Sequence, residues 1–78
     1  MKHETYKTRA GTLQYRPILS ARRMQSIMMD GRGGFCLACA HEQLAVEPDA
    51  RRYPCESCGA PKVYGLEELL MIGLAKIR

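Results

Sequence analysis

All four cysteines of this 78-residue chain stand in two C-x2-C pairs, Cys36-Leu37-Ala38-Cys39 and Cys55-Glu56-Ser57-Cys58, fifteen residues apart. Two residues between cysteines let the chain close a tight knuckle with both sulfurs facing one point. Backbone amides beside such a knuckle can donate hydrogen bonds to the sulfurs. Gly59 follows the second pair, where a positive φ finishes the turn. Ala40 stands after the first pair, where a glycine is frequent. Two knuckles brought face to face supply four thiolates in a tetrahedron, the closed ligand set of structural Zn²⁺. The spacing predicts one structural zinc per chain, held by Cys36, Cys39, Cys55 and Cys58.

Other sulfur chemistry fits less well. Two disulfides need an oxidising compartment. The opening Met1-Lys2-His3-Glu4 carries no apolar stretch resembling a signal peptide or a membrane span, so a reduced, cytoplasmic chain is expected. A redox dithiol needs one pair, not two, and no thioredoxin-like βαβ pattern surrounds either. Iron suits the rubredoxin-like run Cys55-Glu56-Ser57-Cys58-Gly59-Ala60, but the gap between the pairs is short and aromatics are sparse. His3 and His41 are the only histidines, and His41 reads as a surface residue, neither base nor fifth ligand. A closed tetrathiolate site offers no open position to a substrate or an activated water. The chain is therefore expected to be a binding module, not an enzyme, with no small-molecule substrate.

So short a chain buries little apolar surface, and metal ligation supplies folding free energy that a small core lacks. The net charge is +4. It is unevenly spread: residues 1–35 hold seven basic and two acidic side chains, residues 36–78 five and six. Four thiolates around Zn²⁺ would add about −2 to the second part. This asymmetry suggests a nucleic acid or another acidic partner, with Arg22, Arg23, Arg32, Arg51, Arg52 and Lys62 as candidate contacts.

The elements that must position these residues form a small metal-stabilised α+β domain. Residues 1–16 read as a basic arm or a short hairpin with strands over 5–8 and 12–15. Residues 17–78 read as one domain: a helix over 20–30, a zinc ribbon over 35–65 and a helix over 66–78. Pro17-Ile18-Leu19-Ser20 is the helix entrance, with Ser20 as N-cap and Ala21, Met24, Ile27 and Met28 as the apolar stripe. Within the ribbon, Phe35 is expected to cover the metal. Residues 43–47, with Leu44 and Val46 on one face, are expected to form a hairpin with 51–53 around a Pro48-Asp49 turn. Lys62-Val63-Tyr64 is a third strand, ended by Gly65. In the last helix Leu66, Leu69, Leu70, Leu74 and Ile77 form one stripe, and Gly73 lets another backbone approach. Met71 and Ile72 lie on the opposite face.

The runs Gly34-Phe35-Cys36-Leu37-Ala38-Cys39, Val46-Glu47-Pro48-Asp49-Ala50-Arg51, Tyr53-Pro54-Cys55-Glu56-Ser57-Cys58-Gly59-Ala60-Pro61 and Val63-Tyr64-Gly65-Leu66 resemble small zinc-ribbon proteins encoded by bacteriophages and prophages. The resemblance covers about residues 17–70 and implies a bacterial host cell as the setting. Two functions are then expected. One is binding of nucleic acid or a nucleoprotein through the basic residues. The other is inhibition of a host machine, RNA polymerase or an immune nuclease such as a CRISPR effector. That function would use an adaptable apolar surface from Met24, Met28, Met29, Met71 and Ile72. A homodimer through the C-terminal helix would use Met71, Ile72 and Met29.

Overall fold

Facing side chains, more than apolar burial, build the first element. In the computed structural model, which describes residues 2–30 and 33–77 and omits the side chains of 27–30, β1 (His3–Lys7) pairs antiparallel with β2 (Leu13–Leu19). Glu4 stands opposite Arg16, whose Nε donates to Glu4 Oε1 at 2.7 Å. Tyr6 stands opposite Gln14, and its hydroxyl donates to Gln14 Oε1 at 2.8 Å. Such cross-strand pairs fix a register with few large apolar residues. Of the two expectations for the N-terminal stretch, the described residues form the hairpin.

The strand runs further than expected. Pro17-Ile18-Leu19, read above as a helix entrance, belongs to β2, with Pro17 and Leu19 buried. Helix α1 (Ala21–Asp30) begins only after Ser20, whose Oγ accepts from the Arg23 N–H at 3.1 Å. The cap is where the sequence puts it. Gly31 and Arg32 lie outside the described residues, as do the side chains of Ile27, Met28 and Met29.

A second sheet carries the cysteines. Its strands are β3 (Gly34–Cys36), β4 (Glu42–Gln43), β5 (Tyr53–Pro54) and β6 (Pro61–Gly65), in the order β4-β3-β6-β5. The expected hairpin between the two knuckles is absent among the described residues: β4 and β5 lie at opposite edges. The reason is that each knuckle is itself a hairpin turn. The chain enters the first knuckle on β3 and leaves on β4, then enters the second on β5 and leaves on β6. Antiparallel β3–β6 pairing, with Phe35 opposite Tyr64 and Cys36 opposite Val63, joins the two hairpins. Residues 44–52 merely cross from one edge to the other. Hence Leu44 is exposed while Val46 is buried, and the two do not share a face. The turn itself is as read: the Ala50 N–H donates to Glu47 O at 3.1 Å around Pro48-Asp49.

Helix α2 covers only Leu66–Met71, which corrects the helix expected over 66–78. It ends in a Schellman motif. Gly73, at φ +78, donates its N–H to Leu70 O at 3.3 Å, and Leu74 donates to Leu69 O at 2.9 Å. Gly73 is thus a stop signal and not a point of close approach, for a Cβ there would meet nothing within 4 Å. The chain then forms β7 (Lys76–Ile77), parallel to β2, completing a sheet of order β1-β2-β7. Ile77 is half exposed there instead of joining a helical stripe.

Period-two alternation along β3 and β6 divides the interior into two clusters. On one side Phe35 and Leu37 pack with Leu19, Leu66 and Leu69. On the other, Cys36 and Cys55 pack with Val46 and Val63. Phe35 therefore fills the main core and does not cover the cysteines, because adjacent strand residues face opposite ways. Full burial of side chains like Phe35, Leu66 and Leu69 contributes about 1.5–3 kcal/mol each.

A candidate metal centre

The two knuckles are built alike. In the first, the Ala40 N–H donates to Cys36 O and the Cys36 N–H to His41 O, both at 2.9 Å. In the second, the Gly59 N–H donates to Cys55 O at 2.8 Å and the Cys55 N–H to Ala60 O at 2.9 Å. Each loop so closed turns its N–H groups inward. Ser57 and Cys58 donate to Cys55 Sγ at 3.3 and 3.5 Å. The backbone N–H groups of Ala38 and Cys39 favour the thiolate of Cys36, and that of His41 the thiolate of Cys39.

The four sulfurs lie within 4.8 Å of one another. Cys36 Sγ is 3.7 Å from Cys58 Sγ, and Cys39 Sγ is 3.7 Å from Cys55 Sγ. A disulfide requires about 2.05 Å, so all four thiols are free. A tetrahedron with metal–sulfur arms of about 2.3 Å has edges of about 3.8 Å. The cluster is therefore positioned to hold one metal ion. Cys36 and Cys55 are buried, Cys39 is half-buried and Cys58 is exposed.

The thiols are not equivalent. Burial pushes Cys36 up to about 12 and raises Cys39 too. The backbone N–H of Cys58 pulls Cys55 down to about 6, with Ser57 assisting against the effect of burial. A cation among them would displace the remaining protons as it binds.

No protein-family model, curated protein or solved structure matches this chain.

Two residues that position the knuckles were not evident from the sequence. The buried Gln43 on β4 accepts from the Glu56 N–H through Oε1 at 3.1 Å, tying the first hairpin to the second knuckle. Glu68 of α2, only 5% exposed, receives Arg51 Nε at 2.7 Å and Nη2 at 2.6 Å. That ion pair, with the Glu68 N–H donating to Pro48 O at 3.1 Å, docks the crossing segment on α2. Both contacts join residues more than twelve positions apart, so no local signal announces them. Among the described residues no buried side-chain nitrogen or oxygen lacks a partner.

The candidate basic contacts fare unequally. Arg23 holds Glu42 at 2.6 Å, and Arg51 is held by Glu68. Arg22 and Arg52 are exposed, Lys62 is half-buried in β6, and Arg32 lies outside the described residues. Arg22 and Arg23 line one shallow depression with Ser20 and Ser26. Arg51 lines a different one with Ala45 and Tyr53. Of the candidate partner surface, Met71 is 77% and Ile72 45% exposed, while the Met29 side chain lies outside the described set. His41 Nε2 lies 3.2 Å from Glu56 Oε1. Among the described residues no helix is long and apolar enough to cross a membrane.

Proposed function

We propose that Cys36, Cys39, Cys55 and Cys58 hold one structural Zn²⁺, and that the protein is a non-catalytic zinc-ribbon module that binds a protein partner. The observation that carries the zinc reading is the sulfur spacing of 3.7 Å across the two knuckles, matched to a closed tetrathiolate set. Zn²⁺ would be held by four protein sulfurs, leaving no position for water or substrate. Its contribution is then to folding, since the site exists only when the knuckles are closed.

The partner reading is supported by where charge and apolar surface lie. Arg23 and Arg51 are engaged with carboxylates of the same chain, which lowers their value as phosphate contacts. Met71 and Ile72 stand in water at the end of α2. Large exposed apolar side chains side by side suit a protein interface or a second copy of the chain. In the phage setting implied by the resemblance, the partner would be a host machine. Nucleic acid is the second reading, favoured by exposed Arg22 and Arg52 together with Lys7 and Arg9 at the hairpin tip.

Capture from a bacterial lysate, with and without nuclease, separates the two. A nuclease-resistant partner lost in Ile72→Glu supports the first. Nuclease-sensitive capture, with binding that weakens steeply with salt and is lost in Arg22→Ala/Arg52→Ala, supports the second. Sedimentation of wild type and Ile72→Glu at several concentrations tests self-association.

A further inference from the structure

The crossing segment between the knuckles carries exposed apolar side chains of its own. Leu44 is 74% exposed and Tyr53 46% exposed. Between them opens a cleft of about 460 Å³, flanked by Glu42 and Glu56. A second cleft of about 310 Å³ shares the Ala45 and Tyr53 wall and is flanked by Glu47 and Arg51. Both are depressions open to solvent, and each is large enough to take one aliphatic side chain. Two adjoining depressions suit the same-side residues of an extended segment, which recur at every second position.

Charge identifies the occupant. Glu42 is neutralised by Arg23, and Arg51 by Glu68. Among the described residues no hydrogen bond or ion pair engages the Glu47 side chain, and Glu56 faces only the His41 ring. The exposed Arg52 beside Tyr53 offsets one of these two carboxylates, so the charge left over around the clefts is still negative, and a filled tetrathiolate centre beside Glu56 would deepen it. This is the opposite of the sign that nucleic acid needs.

We infer that the Leu44–Tyr53 surface docks an extended basic segment of a partner protein, in which aliphatic side chains alternate with lysine or arginine. The inference rests on the protein-binding reading but not on the Met71–Ile72 surface.

The test uses zinc-loaded, ¹⁵N-labelled full chain and a seven-residue peptide of alternating Lys and Leu, with a Glu and Leu peptide as control. The expected result is saturable amide shifts confined to residues 42–56. The acidic peptide should bind at least tenfold more weakly. Leu44→Glu should weaken the basic peptide at least tenfold with zinc content unchanged, as should Glu47→Lys/Glu56→Lys. Ile72→Glu should leave peptide binding intact, so failure of the other surface and failure of this one are separable. No saturable shift, shifts that map to α1 or to residues 71–77, equal binding of the acidic peptide, or indifference to Leu44→Glu would each overturn the inference.

Discussion

Ala40 and Gly59 occupy equivalent positions in the two knuckles, four residues after Cys36 and Cys55, and both have left-handed backbones, at φ +66 and +77. Each donates its N–H to the carbonyl of the first cysteine of its pair. The geometry is thus the same whether or not glycine is present, and the first knuckle carries the strain of a Cβ there.

Holding a non-glycine residue in this region costs about 1–2 kcal/mol. Ala40→Gly removes that cost but loses a half-buried methyl, worth up to about 0.8 kcal/mol. It should stabilise the protein by about 0.5 kcal/mol. Gly59→Ala, with no Cβ contact to gain, should destabilise it by about 1 kcal/mol. Urea denaturation of the metal-loaded protein checks both. Equal effects of the same sign would show that the knuckles are not equivalent.

Gly65 is the tightest point of the fold. A Cβ there would collide with the Pro48 carbonyl and lie 2.6 Å from Glu47 O. Gly65→Ala should therefore push the crossing segment off β6 and α2, at a cost of about 1–3 kcal/mol. Loss of amide-exchange protection centred on Ala50, Gly65 and Glu68 is the expected signature. A variant as stable as wild type would mean that the segment is not seated as described.

The Arg51–Glu68 pair makes the complementary prediction from the polar side. Arg51→Ala strands a carboxylate that is 5% exposed, and should cost about 1–3 kcal/mol. Replacing both residues by leucine should cost less than Arg51→Ala alone, because no buried charge is left unpaired. Thermal unfolding of the two variants decides this, and equal losses would contradict it.

Leu69 and Leu70 separate the core from its margin. Leu69 is fully buried and Leu70 half-buried. Leu69→Ala should cost about 2–5 kcal/mol and Leu70→Ala clearly less. The reverse order would imply a rotated α2.

The cysteine cluster was legible because its information is local. Two intervening residues fix each knuckle, and the hydrogen bonds that form it involve neighbours in the chain. The Ser20 cap, the Pro48-Asp49 turn and the exposure of Met71 and Ile72 were legible for the same reason. Strand partnership was not. Each C-x2-C knuckle doubles as a hairpin turn, so β4 and β5 pair outward across their own knuckles instead of with each other. Gly73 was ambiguous in principle: inside a helix a glycine costs about 1 kcal/mol, and at a C-terminal stop it is favoured. The apolar positions at 74 and 77 continue the helical period, which hides the stop. The parallel pairing of Ile18 with Lys76 and of Leu19 with Ile77 joins the two ends of the chain and leaves no mark in either segment. Among the basic residues, types could be read but not their partners. Arg51 meets Glu68 seventeen positions away.

The most direct test of the central claim is the metal and thiol content of protein purified under reducing conditions. Elemental analysis should give about one zinc per chain, with the four thiols protected from a thiol reagent until a strong chelator is added. All four should then react as the knuckles unfold, because the site forms only in the folded chain. Folded, metal-free protein, whether with four reactive thiols or with two intact disulfides, would contradict the account.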